Sequence, residues 1–121
     1  MARTQFEELR VYQLAEELAD KIWEVVLGWK PFEKGTIGKQ LVQAADSVGA
    51  NIAEGTGRGS YNDNRRFAKI ARASLFETKH WLRRAFKRKL LTNSQTEAIQ
   101  ALVEELGPKL GAYINSIGPQ R

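Results

Sequence analysis

Apolar residues recur at every third or fourth position along four long stretches, with no strand-like alternation worth counting. The first such run is Val11, Leu14, Leu18, Ile22, Val25 and Trp29. A helix advances 100° per residue, so this spacing gathers the six side chains onto one face; a strand would scatter them to both sides of a sheet. The pattern therefore predicts an all-α fold in which each helix buries one stripe. A length of 121 residues suits a single domain, 1–121, and 42% hydrophobic residues suffice for its core.

Local signals set the expected boundaries. The first helix is predicted from about Gln5 to Gly28, with Thr4 and Glu7 spaced as a capping box. The segment Lys30–Gly35 reads as a loop, because Pro31 cannot continue a helix. The second helix is expected over Ile37–Glu54, capped by Thr36, with Ile37, Leu41, Ala44, Val48 and Ile52 inward. Ala45, Gly49 and Ala53 add small residues at spacing four; Gly49 costs ~1 kcal/mol relative to Ala inside a helix, which close approach of a neighbouring helix would offset. Gly55 and Gly57 suit a left-handed residue past the helix end.

The third helix is predicted over Tyr61–Lys89, with Ser60 as N-cap and Asp63 in the first turn. The fourth spans about Asn93–Ile117, where Thr92 with Gln95 and Ser94 with Glu97 offer overlapping capping boxes. Pro108 should kink it, since proline cannot donate to the carbonyl of Glu104. Four such helices with short connections predict an antiparallel up-down-up-down bundle.

Composition removes several functions. With no cysteine there is no disulfide scaffold, thiol catalysis or Cys-type zinc site, and a single histidine, His80, supplies no His-pair metal site. No apolar run approaches the ~20 residues of a membrane span, and the opening residues lack the apolar core of a secretory signal. A soluble cytoplasmic protein with no membrane partner is expected.

Charge is distributed unevenly. Residues 64–96 carry ten basic side chains against one acidic, Glu77, a net +9, whereas residues 1–63 net −3 and residues 97–121 net −1. On a helical projection Arg65, Lys69, Arg72, Lys79, Arg83 and Lys87 fall on one narrow flank of the third helix, with Phe76 among them, while Ala71, Leu75, Thr78 and Leu82 face the core. Arg66, Arg84 and Arg88 widen the positive surface behind. The row is about 33 Å long at ~1.5 Å per residue, comparable to one duplex turn. Like charges at these spacings repel, and no bundle needs them for folding. Three destinations fit: phosphates of a nucleic acid, carboxylates within or between subunits, or an acidic surface such as a membrane. Arg65, Lys69, Arg72, Lys79, Arg83, Arg84 and Lys87 are the candidate nucleic-acid contacts. Nothing in the row encodes base-edge reading, so sequence-tolerant binding is expected.

Other polar groups carry less. Gly55–Ser60 precedes a helix start but lacks the strand and the Gly-Lys-Ser/Thr ending of a phosphate-binding loop, so turn and cap are the expected roles. Glu54 is placed to cap N–H groups or pair with Arg58. Asp46, Ser47 and His80 form no recognisable triad, and no catalytic, cofactor or metal residue is assigned. Trp23, Phe32, Tyr61 and Phe86 fall off the apolar stripes, which suggests burial between subunits.

The run Gln40-Leu41-Val42-Gln43-Ala44-Ala45-Asp46-Ser47-Val48-Gly49-Ala50-Asn51-Ile52-Ala53-Glu54-Gly55-Thr56-Gly57-Arg58 resembles the signature of the bacterial four-helix bundle family, also called 23S rRNA intervening-sequence proteins. Ile70–Thr78 resembles its second motif, and Leu9, Val11 and Tyr12 its opening. The resemblance implies an antiparallel bundle assembled as a homo-oligomeric ring, a homopentamer. It also implies kinship with the accessory variability determinant of diversity-generating retroelements, a basic barrel that binds nucleic acid and a reverse transcriptase. Val42-Gln43 stands where the family usually has a basic pair, and Ala73 where it commonly has Gly, which leaves the third helix to carry the positive surface.

Overall fold

The computed structural model describes residues 6–119, and among them every regular element is helical. A 3₁₀ turn, Phe6–Glu8, leads into α1, Arg10–Leu27. The chain then re-enters helix at Pro31–Glu33, passes through a π-helical turn at Lys34–Gly38 and continues as α2, Lys39–Thr56. The long α3 covers Tyr61–Lys87, and α4 covers Asn93–Ser116. Each helix packs on its neighbours in the cyclic order α1, α2, α3, α4, so that α4 returns to α1 and the four enclose one core.

The core matches the predicted stripes closely. Leu14, Leu18 and Ile22 of α1, Leu41, Val48 and Ile52 of α2, and Leu106 and Leu110 of α4 are fully buried. The inward face of α3 is thinner, with Ala68, Ala71, Leu75, Thr78 and Ala85 buried and Leu82 only half-buried. Thr78 satisfies its hydroxyl by donating to the Ser74 carbonyl at 2.8 Å. Small residues let α2 and α3 approach closely, and a short polar chain ties them: the Ser74 hydroxyl donates to Ser47 Oγ, which also accepts from the Asn51 amide. Gly49 lies under α1, where an added Cβ would sit 3.5 Å from the Tyr12 ring. That is ordinary van der Waals contact, so the packing there does not require the glycine.

Several boundaries move. Thr4, one half of the expected capping box, lies outside the described residues, and α1 starts at Arg10 behind Leu9, which makes no side-chain cap. Pro31 starts a helical turn instead of excluding one; it occupies the first position, where its missing N–H is not needed. Thr36 is therefore inside helix, donating to the Phe32 carbonyl, and caps nothing. Gly55 and Gly57 are not left-handed. Gly55 is buried within the last turn of α2, Gly57 has φ −91°, and the positive φ falls at Gly59 (+86°). Ser60 caps α3 through the Asp63 N–H as expected, and Thr92 with Gln95 completes the capping box of α4. The Ser94–Glu97 alternative is not used, because the helix already begins at Asn93. Helix α4 runs on through Pro108 to Ser116.

Helix α3 ends at Lys87, two residues before the expected Lys89. The Leu90 N–H returns to the Ala85 carbonyl at 2.9 Å and the Lys89 N–H to Phe86 at 3.1 Å. This is the Schellman pattern that glycine usually completes, yet Lys89 holds the left-handed position with φ 60°. The turn presents the Leu90 carbonyl to the Trp29 indole N–H, 3.0 Å away, and pins the end of α1 against it. Replacing Lys89 by Gly should relieve about 1 kcal/mol of backbone strain and raise the melting temperature by roughly 4 °C. Thermal unfolding followed by circular dichroism checks this.

Candidate nucleic-acid interface

The cations of α3 are held on one flank by the register of its core residues. With Leu75 and Ala71 fixed inward, Lys69, Arg72, Lys79, Arg83 and Lys87 project along the edge nearer α4, and all five are exposed. Among the described residues the ion pairs are Arg10 with Glu17 and Glu105, Lys109 with Glu105, and Asp63 with Arg58 and Arg66. None involves these five. Glu77, the lone acid of the segment, accepts from the Trp81 indole at 3.1 Å on the other side of the helix. Among the described residues, no carboxylate neutralises the row.

Two predicted contacts sit differently from the rest. Arg65 is half-buried and donates to the Ile117 carbonyl at 2.8 Å and to Asn62 Oδ1 at 3.0 Å. It caps the end of α4, so its guanidinium is largely committed to the fold. Arg84 is half-buried and lies about 100° round the helix from Arg83, behind the row. Of the aromatics, Phe76 is 62% exposed with the Lys79 ammonium 5.2 Å from its ring centroid. Arg58 and Arg66 both lie over Phe67, at 5.2 and 4.7 Å.

The sequence did not indicate a groove beside the row. Between α3 and α4 a cleft of about 290 Å³ has Leu82, Leu91, Ile99 and Val103 as its floor. Lys79 and Arg83 form one rim, Thr96 and Gln100 the other, and Phe86 stands half-exposed at one end. It opens where α3 sets a half-buried Leu82 opposite Ile99 and Val103 of α4, a pattern legible only once the facing helix is known.

The opposite side of the bundle is acidic. A cleft of about 330 Å³ between α1 and α2 brings together Glu16, Asp20 and Asp46 with Tyr12 and Phe6. Partial burial, and then the charge of Asp20, push the Asp46 carboxyl above its usual range. Burial and the neighbouring Glu16 likewise raise the Tyr12 phenol, which donates to Glu16 Oε2 at 3.2 Å. A carboxyl that holds its proton more tightly in the folded chain contributes stability below its unfolded pKa and loses it as pH rises through the folded value. Asp46→Asn should therefore raise the melting temperature near pH 7 and leave it unchanged near pH 3, a difference that a pH series of melts will read.

The expected pairing of Glu54 with Arg58 does not form. Glu54 is exposed, and Arg58 pairs with Asp63 in its place. His80 is exposed and meets the edge of Trp81 at 4.8 Å, remote from Ser47 on α2. Among the described residues no group of three acidic, His or Cys side chains could hold a metal ion, and no helix is long and apolar enough to cross a membrane.

Residues 7–112 match the family model described as 23S rRNA-intervening sequence protein. The chain belongs to that family. A solved member of the S23 ribosomal protein family from Bacteroides thetaiotaomicron, described as a protein of unknown function, superposes with a TM-score of 0.77. It is 25% identical, and the match covers 88% of this chain and 99% of that one. No curated protein matches. The family match spans the whole cation row of α3, both walls of the groove and, apart from Phe6, the acidic cleft.

Proposed function

We propose that this member of the 23S rRNA-intervening sequence family is a non-enzymatic accessory protein. It assembles its antiparallel bundles into a homo-oligomeric ring and binds RNA or DNA without strong sequence preference. The observation that carries the reading is the row of Lys69, Arg72, Lys79, Arg83 and Lys87, exposed and without a carboxylate partner among the described residues. A fold gains nothing from such a row, whereas a phosphate chain gains counterion release at each contact. Ring assembly is supported by apolar surface elsewhere. Trp23, Leu27 and Phe32 are 53%, 55% and 76% exposed near the α1–α2 connection, where Trp23 and Leu27 share a cleft with Lys34 and Lys39. In a five-membered ring the net charge of each subunit, +5, would add to that of its neighbours and draw in polyanions. A nucleic-acid-copying enzyme, the reverse transcriptase that the family resemblance implies, is the proposed further partner.

The acidic cleft of Glu16, Asp20 and Asp46 favours one other reading, in which it receives the cations of the next subunit and the ring is purely structural. Light scattering separates the two. If the row serves nucleic acid, the variant with Lys79, Arg83 and Lys87 changed to Gln keeps the parent's mass, and Asp46→Asn does too. If the row pairs across subunits, both variants shift to smaller species.

A further inference from the structure

We infer that the groove between α3 and α4 receives an unpaired nucleobase, so that this face prefers single-stranded to duplex nucleic acid. The inference rests on the nucleic-acid reading above and adds to it the strand state of the ligand. Lys79 and Arg83 belong to the cation row and also form one rim of the groove, so a phosphate chain following the row passes along its lip. The opposite rim, on α4, carries no cation in the groove; it offers Gln100 instead. Backbone phosphates are thereby held on the α3 side, and whatever hangs from them is directed across toward α4.

The space it enters, about 290 Å³ over Leu82 and Ile99, is apolar, and an apolar floor rewards only a face that has left its stack. Phe86, half-exposed at the end of the groove, supplies the aromatic platform, whereas one face of Phe76 already carries the Lys79 ammonium. The Gln100 amide nitrogen donates to Glu104 at 3.1 Å, which leaves its carbonyl oxygen to accept from an exocyclic amino group. A duplex presents phosphates to the same row but keeps its bases paired and cannot fill the groove. The cations at spacing four stand about 6 Å apart along the helix, a step that one strand can follow phosphate by phosphate.

The test uses fluorescence anisotropy with a labelled single-stranded oligonucleotide of mixed sequence and its annealed duplex, and a second single strand with one 2-aminopurine. Single strand should bind about tenfold more tightly than duplex. Phe86→Ala should lower single-strand affinity about tenfold while leaving duplex affinity within about twofold, and Phe86→Trp should restore it. The 2-aminopurine emission should change on binding to the parent protein and not to F86A. Equal affinity for both strand states, unaltered in F86A, would overturn the inference, spare the nucleic-acid reading and leave the groove to an acidic, apolar peptide. Failure of both strand states to bind would remove that reading as well.

Discussion

Changing Lys79, Arg83 and Lys87 together to glutamine is expected to weaken binding of a single-stranded oligonucleotide about a hundredfold at ~0.1 M salt. The figure follows from counterion release. Each cation that neutralises a phosphate on a single strand contributes about 0.7 to the slope of log affinity against log salt, and therefore about 0.7 log units at ~0.1 M. Three contacts give about two log units, and the slope itself should fall by about 2. Near 1 M salt, parent and variant should converge. The fold should not suffer. The three side chains are exposed, make no ion pair among the described residues and succeed one another by single helical turns. Removing like charges at that spacing relieves a few tenths of a kcal/mol per pair. A gel-shift or anisotropy titration at several salt concentrations, with circular dichroism on the same samples, measures all of this. An unchanged affinity at low salt would remove these three residues from the interface.

The largest stability effect is expected at Gly55. A Cβ there would stand 2.6 Å from Asn64 Oδ1, 3.0 Å from Phe67 Cβ and 3.1 Å from the Asn64 carbonyl oxygen. The amide oxygen of Asn64, buried without a hydrogen-bond partner, fills the space that a side chain would need. Asn64 can rotate away, but its carbonyl and the Phe67 Cβ move only if the first turn of α3 moves with them. Gly55→Ala should cost about 2–3 kcal/mol by overpacking, even after the ~1 kcal/mol by which alanine favours a helix. Melting should fall by roughly 10 °C. Gly111 on α4 supplies the control, since nothing lies within 4 Å of its missing Cβ. Gly111→Ala should raise stability by up to ~1 kcal/mol. If both glycines respond alike, close packing at the α2–α3 turn is not what requires Gly55.

This glycine also shows where sequence reasoning reaches its end. Periodicity alone identified the helices and nearly every core residue, because burial of one stripe per helix is dictated by 3.6 residues per turn. Ser60 and Thr92 announced two helix starts, since a capping side chain acts within three residues of itself. Gly55 suits a left-handed residue past a helix end by its position in the sequence, whereas its real reason is Phe67 and Asn64 pressing from the next helix. Pro31 and Lys89 misled for a similar cause. Proline both ends and begins helices, and a left-handed lysine carries no compositional mark. The cation row is legible as a flank because its members share one face at helical spacing. Arg65 drops from it only because Ile117, fifty-two positions away, offers a carbonyl. The groove beside the row depends on how α4 leans against α3, and no local pattern reports that.

The central claim is that the exposed cations of α3 stay unneutralised in the assembled protein and open to a phosphate chain. The most direct measurement is the salt dependence of oligonucleotide binding by the intact protein, with its mass followed by light scattering in the same buffers. The account predicts binding at ~50 mM salt that weakens with a log–log slope of about 3 or steeper, as five single-strand contacts would give, while the mass stays constant. A flat dependence, or no binding at the lowest salt by a protein of unchanged mass, would contradict it.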